Sequence, residues 1–126
     1  MVGIVKVDTL QNNAGTSSVD MDYVVNGSAK AWVNFNGTGT IAARDSLNVA
    51  SLTDNSTGDY KVNYSNSFSN DDYSATVSAN SSSGLIGTLE SEATMLTGST
   101  EVNTYGGSIS KSDHAVVCLQ TLGDLA

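Results

Sequence analysis

Few side chains in this sequence could do chemistry, and their spacing can be weighed. The single histidine, His114, follows Asp113, an order in which a carboxylate could orient an imidazole toward a nucleophile. No nucleophile is placed for it: serines are abundant, but none sits in a Gly-x-Ser-x-Gly elbow. His114 therefore reads as a residue at the entrance to a strand. A pair of carboxylates across a sugar bond would make a glycosidase. Asp71 and Asp72 are adjacent and point to opposite sides of an extended chain. Glu90 and Glu92 would share a strand face with no third group to complement them. Both pairs read as solvated surface. The stretch from Asp54 to Asp59, DNSTGD, has the acidity of a calcium loop but lacks the alternating ligands and the distal bidentate Glu. Gly106-Gly107 has none of the basic context of a phosphate loop. These residues point to no catalytic site, no metal site and no cofactor.

The composition explains why chemistry is scarce. Of 126 residues, 19 are Ser, 13 Thr, 12 Asn and 12 Gly, and none is Pro. Such residues are poor helix formers and good turn formers, so many short strands joined by tight turns are expected. A chain of this length makes one domain that buries roughly two-thirds of its unfolded surface. The net charge is −8, and the five cations Lys6, Lys30, Arg44, Lys61 and Lys111 are scattered singly, which disfavours nucleic-acid binding. No apolar run is long enough for a membrane span, and the N-terminus lacks the apolar core of a signal peptide. Cys118, the only cysteine, lies in an apolar run and reads as a small buried hydrophobe in a chain made in a reducing compartment. The sequons at Asn26, Asn36, Asn55, Asn63 and Asn80 are no more than this composition produces by chance.

Period-2 alternation supplies the elements. It places Met21, Tyr23 and Val25 on one strand face; Ala31, Val33 and Phe35 on another, with Trp32 on the polar side; then Tyr60, Val62 and Tyr64; then Tyr73, Ala75, Val77 and Ala79. Asn26-Gly27 and Asn36-Gly37 are two-residue hairpin signals. Thr53–Asp59 and Ser69–Asp72 read as loops, and so does Ser81–Gly87. Thr88–Leu96 reads as a strand or a short helical turn, and Thr100–Tyr105 as a strand. His114–Gln120 is apolar on both faces, as in a strand covered on both sides. The expected architecture is an all-β antiparallel sandwich, jelly-roll-like, over residues 19–126, preceded by a short N-terminal arm over residues 1–18. The arm carries Ile4, Val5 and Val7. It either frays, forms the first strand of the same sheet, or pairs with a neighbouring subunit.

Within Asn26–Ser78 a set of motifs recurs: AKAWVNF (Ala29–Phe35), GTGT (Gly37–Thr40), an RDSLNVAS strand (Arg44–Ser51), DNSTGDY (Asp54–Tyr60) and NDDY (Asn70–Tyr73). Together they resemble a module of tailed-phage tail fibres and related virion proteins of environmental and marine phages, and Ser112–Asp124 resembles its closing strand. Ser81–Ser110 matches none of the family's motifs. The resemblance implies a virion protein of fibre-tip type, assembled in the bacterial host cytoplasm as a homotrimer. Its partners would be other virion proteins and a host-surface glycan or protein. It makes Trp32 and its hairpin part of the scaffold. It also makes Asp54, Asn55, Asn70, Asp71 and Asp72 candidate receptor-contact residues, and Ile4, Val5 and Val7 a candidate assembly arm. Family examples commonly crown a long shaft, and Met1 stands only a short arm ahead of these motifs. A capsid decoration or cement protein, its arm augmenting a neighbour's sheet, is the alternative. A small carbohydrate-active enzyme is the rival from a different class.

Overall fold

In the computed structural model, which describes residues 3–80, 86–107 and 109–126, the alternating segments become the strands of two facing sheets. In chain order the elements are β1 (Thr9–Gln11), β2 (Ser18–Asp20), α1 (Met21–Gly27), β3 (Ala29–Asn36), β4 (Ala42–Leu47), β5 (Val49–Ser56) and β6 (Asp59–Tyr64), followed by β7 (Ser74–Ala79), β8 (Ile86–Leu89), a 3-10 turn (Glu92–Thr94), β9 (Ser99–Tyr105) and β10 (Val117–Leu122). One sheet has the order β4-β3-β10-β7 and the other β5-β6-β9-β8, with every pair antiparallel. The fold is thus an all-β sandwich in which the first and last long strands lie side by side.

The buried faces are those the alternation marks. Ala31, Val33, Phe35, Val117 and Leu119 line the inside of the first sheet, and Tyr60, Val62, Tyr64 and Val102 that of the second. Phe35 meets Tyr60 edge to face with ring centroids 5.2 Å apart. Toward the other end of the core Tyr64 packs on Phe68 at 5.0 Å, and Phe68 on Tyr73 at 4.6 Å. Aromatic pairs of this geometry contribute beyond their buried area. That matters in a core whose inner faces also hold Thr100, Thr104 and Thr121. Of these, Thr121 meets the Tyr64 hydroxyl across the core at 3.2 Å.

Several elements depart from the sequence reading, each for a physical reason. Met21–Val25 is the start of a helix and not a strand, and Asn26-Gly27 closes that helix and makes no hairpin. The segment has no neighbouring strand, so its backbone bonds to itself; Asp22 in the first turn suits the helix dipole. At the other end Lys30 donates to the carbonyls of Val25 and Ser28. Arg44–Ser51 is not one strand. The chain leaves the first sheet after Leu47 and enters the second at Val49, turning on Asn48, whose φ is 56°. Asparagine tolerates that left-handed conformation, and the Asn48 side chain holds the backbone of Asn66 on both sides, accepting at 2.7 Å and donating at 3.1 Å. Thr53–Asp59 is not a loop: β5 runs to Ser56, and only Thr57-Gly58 turns. The last strand starts at Val117, later than expected, and is hydrogen-bonded on both edges but buried on one face only. Cys118 consequently lies half-buried on the outer face and not in the core, opposite Asn34 and on the same face as Trp32, which is likewise half-buried. Thr88-Leu89 is strand while Glu92 opens the 3-10 turn, so Glu90 and Glu92 share no strand face. The loop expected at Ser81–Leu85 lies outside the described residues, and Ile86-Gly87 at its end is strand.

Before Ala29 the chain forms a separate unit. β1 pairs only with β2, α1 follows directly, and no residue from Gly3 to Gly27 is buried. Eight of the twelve large apolar side chains that stand exposed among the described residues lie between Ile4 and Val25.

Phe35→Ala should cost about 3–5 kcal/mol, as for other large core truncations, measured by urea unfolding. Trp32→Ala on the outer face should cost clearly less; equal losses would mean that both side chains share one core.

Candidate functional site

The antiparallel strands give the sandwich two ends. Residues 37–41, the Thr57-Gly58 turn and residues 106–107 and 109–116 gather at one end. Asn48, residues 65–73, residues 90–98 and the C-terminus gather at the other, where the N-terminal unit also joins β3. Asp54 and Asn55 belong to the first end and Asn70, Asp71 and Asp72 to the second. β6 alone separates the two groups by about 17 Å. The five residues therefore form two surfaces. At the second end Asn70 caps the Asp72 N–H at 3.0 Å in a loop pinned by buried Phe68, whose N–H bonds Thr97 O at 2.8 Å.

The first end is built around Asp113, which the sequence marks only as the neighbour of His114. One carboxylate oxygen of Asp113, Oδ1, accepts the Gly58 N–H at 2.7 Å and the Tyr60 hydroxyl at 2.8 Å, with Gly37 O also 3.0 Å from that hydroxyl. Gly37 in turn donates its N–H to His114 O at 2.9 Å. The long β9–β10 loop thus grips both the β3–β4 loop of one sheet and the β5–β6 turn of the other. Burial, then the hydrogen bond to Asp113 and its negative charge, push the Tyr60 phenol well above its usual range, so it stays a donor.

Two glycines make this approach physical. A Cβ on Gly37 would stand 2.6 Å from the Tyr60 hydroxyl oxygen, and one on Gly58, whose φ is 64°, would stand 2.5 Å from Thr104 O. The Asn36-Gly37 signal is therefore correct about a turn but not about its kind. The loop runs to Ile41, Gly39 carries the positive φ, and Gly37 is needed for contact.

Around this clamp the loops are braced from their own side chains. Asn36 donates to Thr38 O at 2.7 Å and accepts from the Thr38 hydroxyl at 2.8 Å. Thr104 and Ser112 exchange two bonds, Thr104 Oγ1 to Ser112 O at 2.7 Å and Ser112 N to Thr104 O at 3.0 Å. Arg44 donates to Asn34 and to Ala115 O. Asp59, the last acid of the calcium-like stretch, is taken by Lys111 at 2.6 Å and by Asn55 at 3.0 Å. Burial alone would raise the Asp59 carboxyl. The hydrogen bonds from Lys111 and Asn55 and the Lys111 charge outweigh burial and leave it below its usual value.

His114 contributes its carbonyl to this assembly, while its Nε2 is buried with no hydrogen-bond partner among the described residues. No group of three or more metal-ligating side chains converges among the described residues. What the end presents outward is a fixed relief of Thr38, Gly39, Thr40, Asn55, Thr57 and Ile109. Ile109 is 86 % exposed with φ 57°, an uncommon conformation for a β-branched residue that costs about 1–3 kcal/mol. Ile109 has no signal in the sequence, and Asp113 stands out only as the neighbour of His114, since the part each plays depends on where the β9–β10 loop lands. No helix among the described residues is long and apolar enough to cross a membrane. No family model, curated protein or solved structure matches the chain.

Asp113→Ala strands the Gly58 N–H and leaves the Tyr60 hydroxyl only Gly37 O, so it should lower stability by about 1–3 kcal/mol in urea unfolding, whereas Asp113→Asn, which keeps an acceptor, should recover most of it. Because the folded Asp59 value lies below the unfolded one, its contribution is complete above about pH 4 and disappears as pH falls through the folded value. Lys111→Met should therefore destabilise at pH 7, and its difference from the parent should shrink as the pH falls below about 4.

Proposed function

We propose that this chain is a bacteriophage virion structural protein of fibre-tip type. It assembles as a homotrimer, attaches to other virion proteins through its N-terminal unit, and offers the Asp113-braced end to a host-surface glycan or protein. The observation that carries this reading is the polarity of the molecule. Apolar side chains stand exposed in the segment that joins one end, and ordered polar loops with a strained, exposed Ile109 occupy the opposite end. Display on a rigid scaffold asks for this division, because loops recognise best when they are fixed before contact. The motif resemblance over Asn26–Ser78 supports the same reading. Asp54 and Asn55 belong to the displayed end under this proposal, whereas Asn70, Asp71 and Asp72 face the attachment side.

The exposed apolar N-terminal unit equally suits a protein riding on a capsid shell, which is the second reading. Gold-labelled antibody against the chain distinguishes them: labelled tails favour the fibre tip, and labelled tailless heads favour decoration.

Excess purified protein should abolish adsorption of the phage to its host, and an Ile109→Asp competitor should need at least about tenfold more protein for the same effect. Unchanged adsorption at saturating dose would overturn the receptor reading. Incubation with host polysaccharide should release no new reducing ends; their appearance would favour the enzymatic rival.

A further inference from the structure

The two flanks of the sandwich are unlike. On one flank β7 and β8 close on each other, so tightly that a Cβ on Gly87 would stand 2.7 Å from Val77 Cγ1. On the other flank β4 and β5 are both edge strands, each paired on one side only, and the seam between them is open. That seam is a groove of about 230 Å³ lined by small residues, Ala43, Ser46, Ala50 and Ser51 among them, with Ile41, Val49 and Leu52 supplying its apolar part. An edge strand with free backbone groups beside a shallow slot that holds such side chains is the acceptor half of a strand-addition site.

The same chain carries the donor half. Gly3–Val7 has no backbone hydrogen bond among the described residues, and Ile4, Val5 and Val7 are 75 %, 86 % and 41 % exposed. Val5 and Val7 fall on one side of an extended chain, as an apolar slot requires. The arm does not occupy its own seam: Asp8 O accepts the Met21 N–H at 2.8 Å, rooting the arm beside α1 with its apolar side chains in solvent. Charge matches as well. In a chain of net charge −8 the arm carries Lys6 and no acid from Gly3 to Val7, while Asp45 on β4 and Asp54 on β5 have no cationic partner among the described residues.

We propose that the open β4–β5 seam of one copy receives the Gly3–Val7 arm of a second copy. The arm adds as a strand on the β5 edge, because Asp45 already caps the Ser46 N–H at 2.9 Å and so blunts the β4 edge. Each copy then gives one arm and accepts one, a head-to-tail contact that closes into a ring when the rotation permits. The inference deepens the assembly part of the proposed function and holds for either virion location.

Disulfide trapping between two populations of the full-length chain tests it. Val5→Cys in one population and Ala50→Cys in the other, both on a Cys118→Ser background, should give on mixing and oxidation a disulfide joining the two chains. A disulfide forming only within one chain that carries both substitutions, or none at concentrations where the parent associates, would overturn the proposal. In the full chain Val5→Asp with Val7→Asp, at exposed positions that leave the circular dichroism unchanged, should reduce the sedimentation mass from three copies to one. An unchanged trimer would overturn the seam contact and leave the trimer reading standing. A parent that is monomeric at tens of micromolar would overturn both.

Discussion

Tyr60 is held at both ends, and most of the sandwich depends on that. Its ring packs edge-on against Phe35 of the opposite sheet, and its hydroxyl lies between Gly37 of that sheet's loop and Asp113 of the loop entering β10. One side chain therefore couples apolar contact between the layers to hydrogen bonding at their rim. The coupling is demanding because the partner at 37 must be glycine and the turn at 58 must adopt a positive φ. A buried hydroxyl without these partners would cost more than its ring contributes in contact beyond burial.

The core around it is economical. Small side chains dominate the composition, and the middle layer mixes valines with buried threonines, so its bulk comes from a few rings: Phe35 and Tyr60 toward one end, Tyr64, Phe68 and Tyr73 toward the other. Each aromatic group lies near one set of connections. Phe68 is itself a loop residue, fastened to Thr97 and bridged to Leu125 near the C-terminus. Packing and loop placement are thus the same interactions, and among the described residues there is neither a disulfide nor a cluster of three metal-ligating side chains.

How far such a fold can be read in advance depends on the range of the forces involved. Alternation at Ala31–Phe35, Tyr60–Tyr64 and Tyr73–Ala79 identifies the inner faces because burial of one face is a local, period-2 constraint. It misleads at Met21–Val25, where the same pattern meets no neighbouring strand and the backbone coils on itself. It is silent at Asn48, where an uninterrupted strand-like run divides between two sheets. The polar stretches at Asp54-Asn55 and Asn70–Asp72 are recognisable as surface from their composition, but that the first closes a strand and the second a loop at the opposite end follows from strand pairing and direction, which composition does not carry. Ile109, an isoleucine in a Gly-Ser stretch, is invisible, and Asp113 is visible only as an acid beside His114; its grip on Gly58 and Tyr60 has no meaning until the loop is docked.

Residue order by itself determined the class of the fold, the inner faces of its long strands, an exposed polar character and an N-terminal arm rich in branched side chains, because each arises from local alternation, turn chemistry or composition. Tertiary structure alone decided that the chain changes sheets at Asn48, that one flank seals while the other stays open, and that Asp113 gathers Gly58 and Tyr60. Those outcomes are set by contacts between residues distant in sequence, 18 positions apart at Asn48 and 53 to 55 at Asp113, and by the direction of strands, which no local pattern encodes.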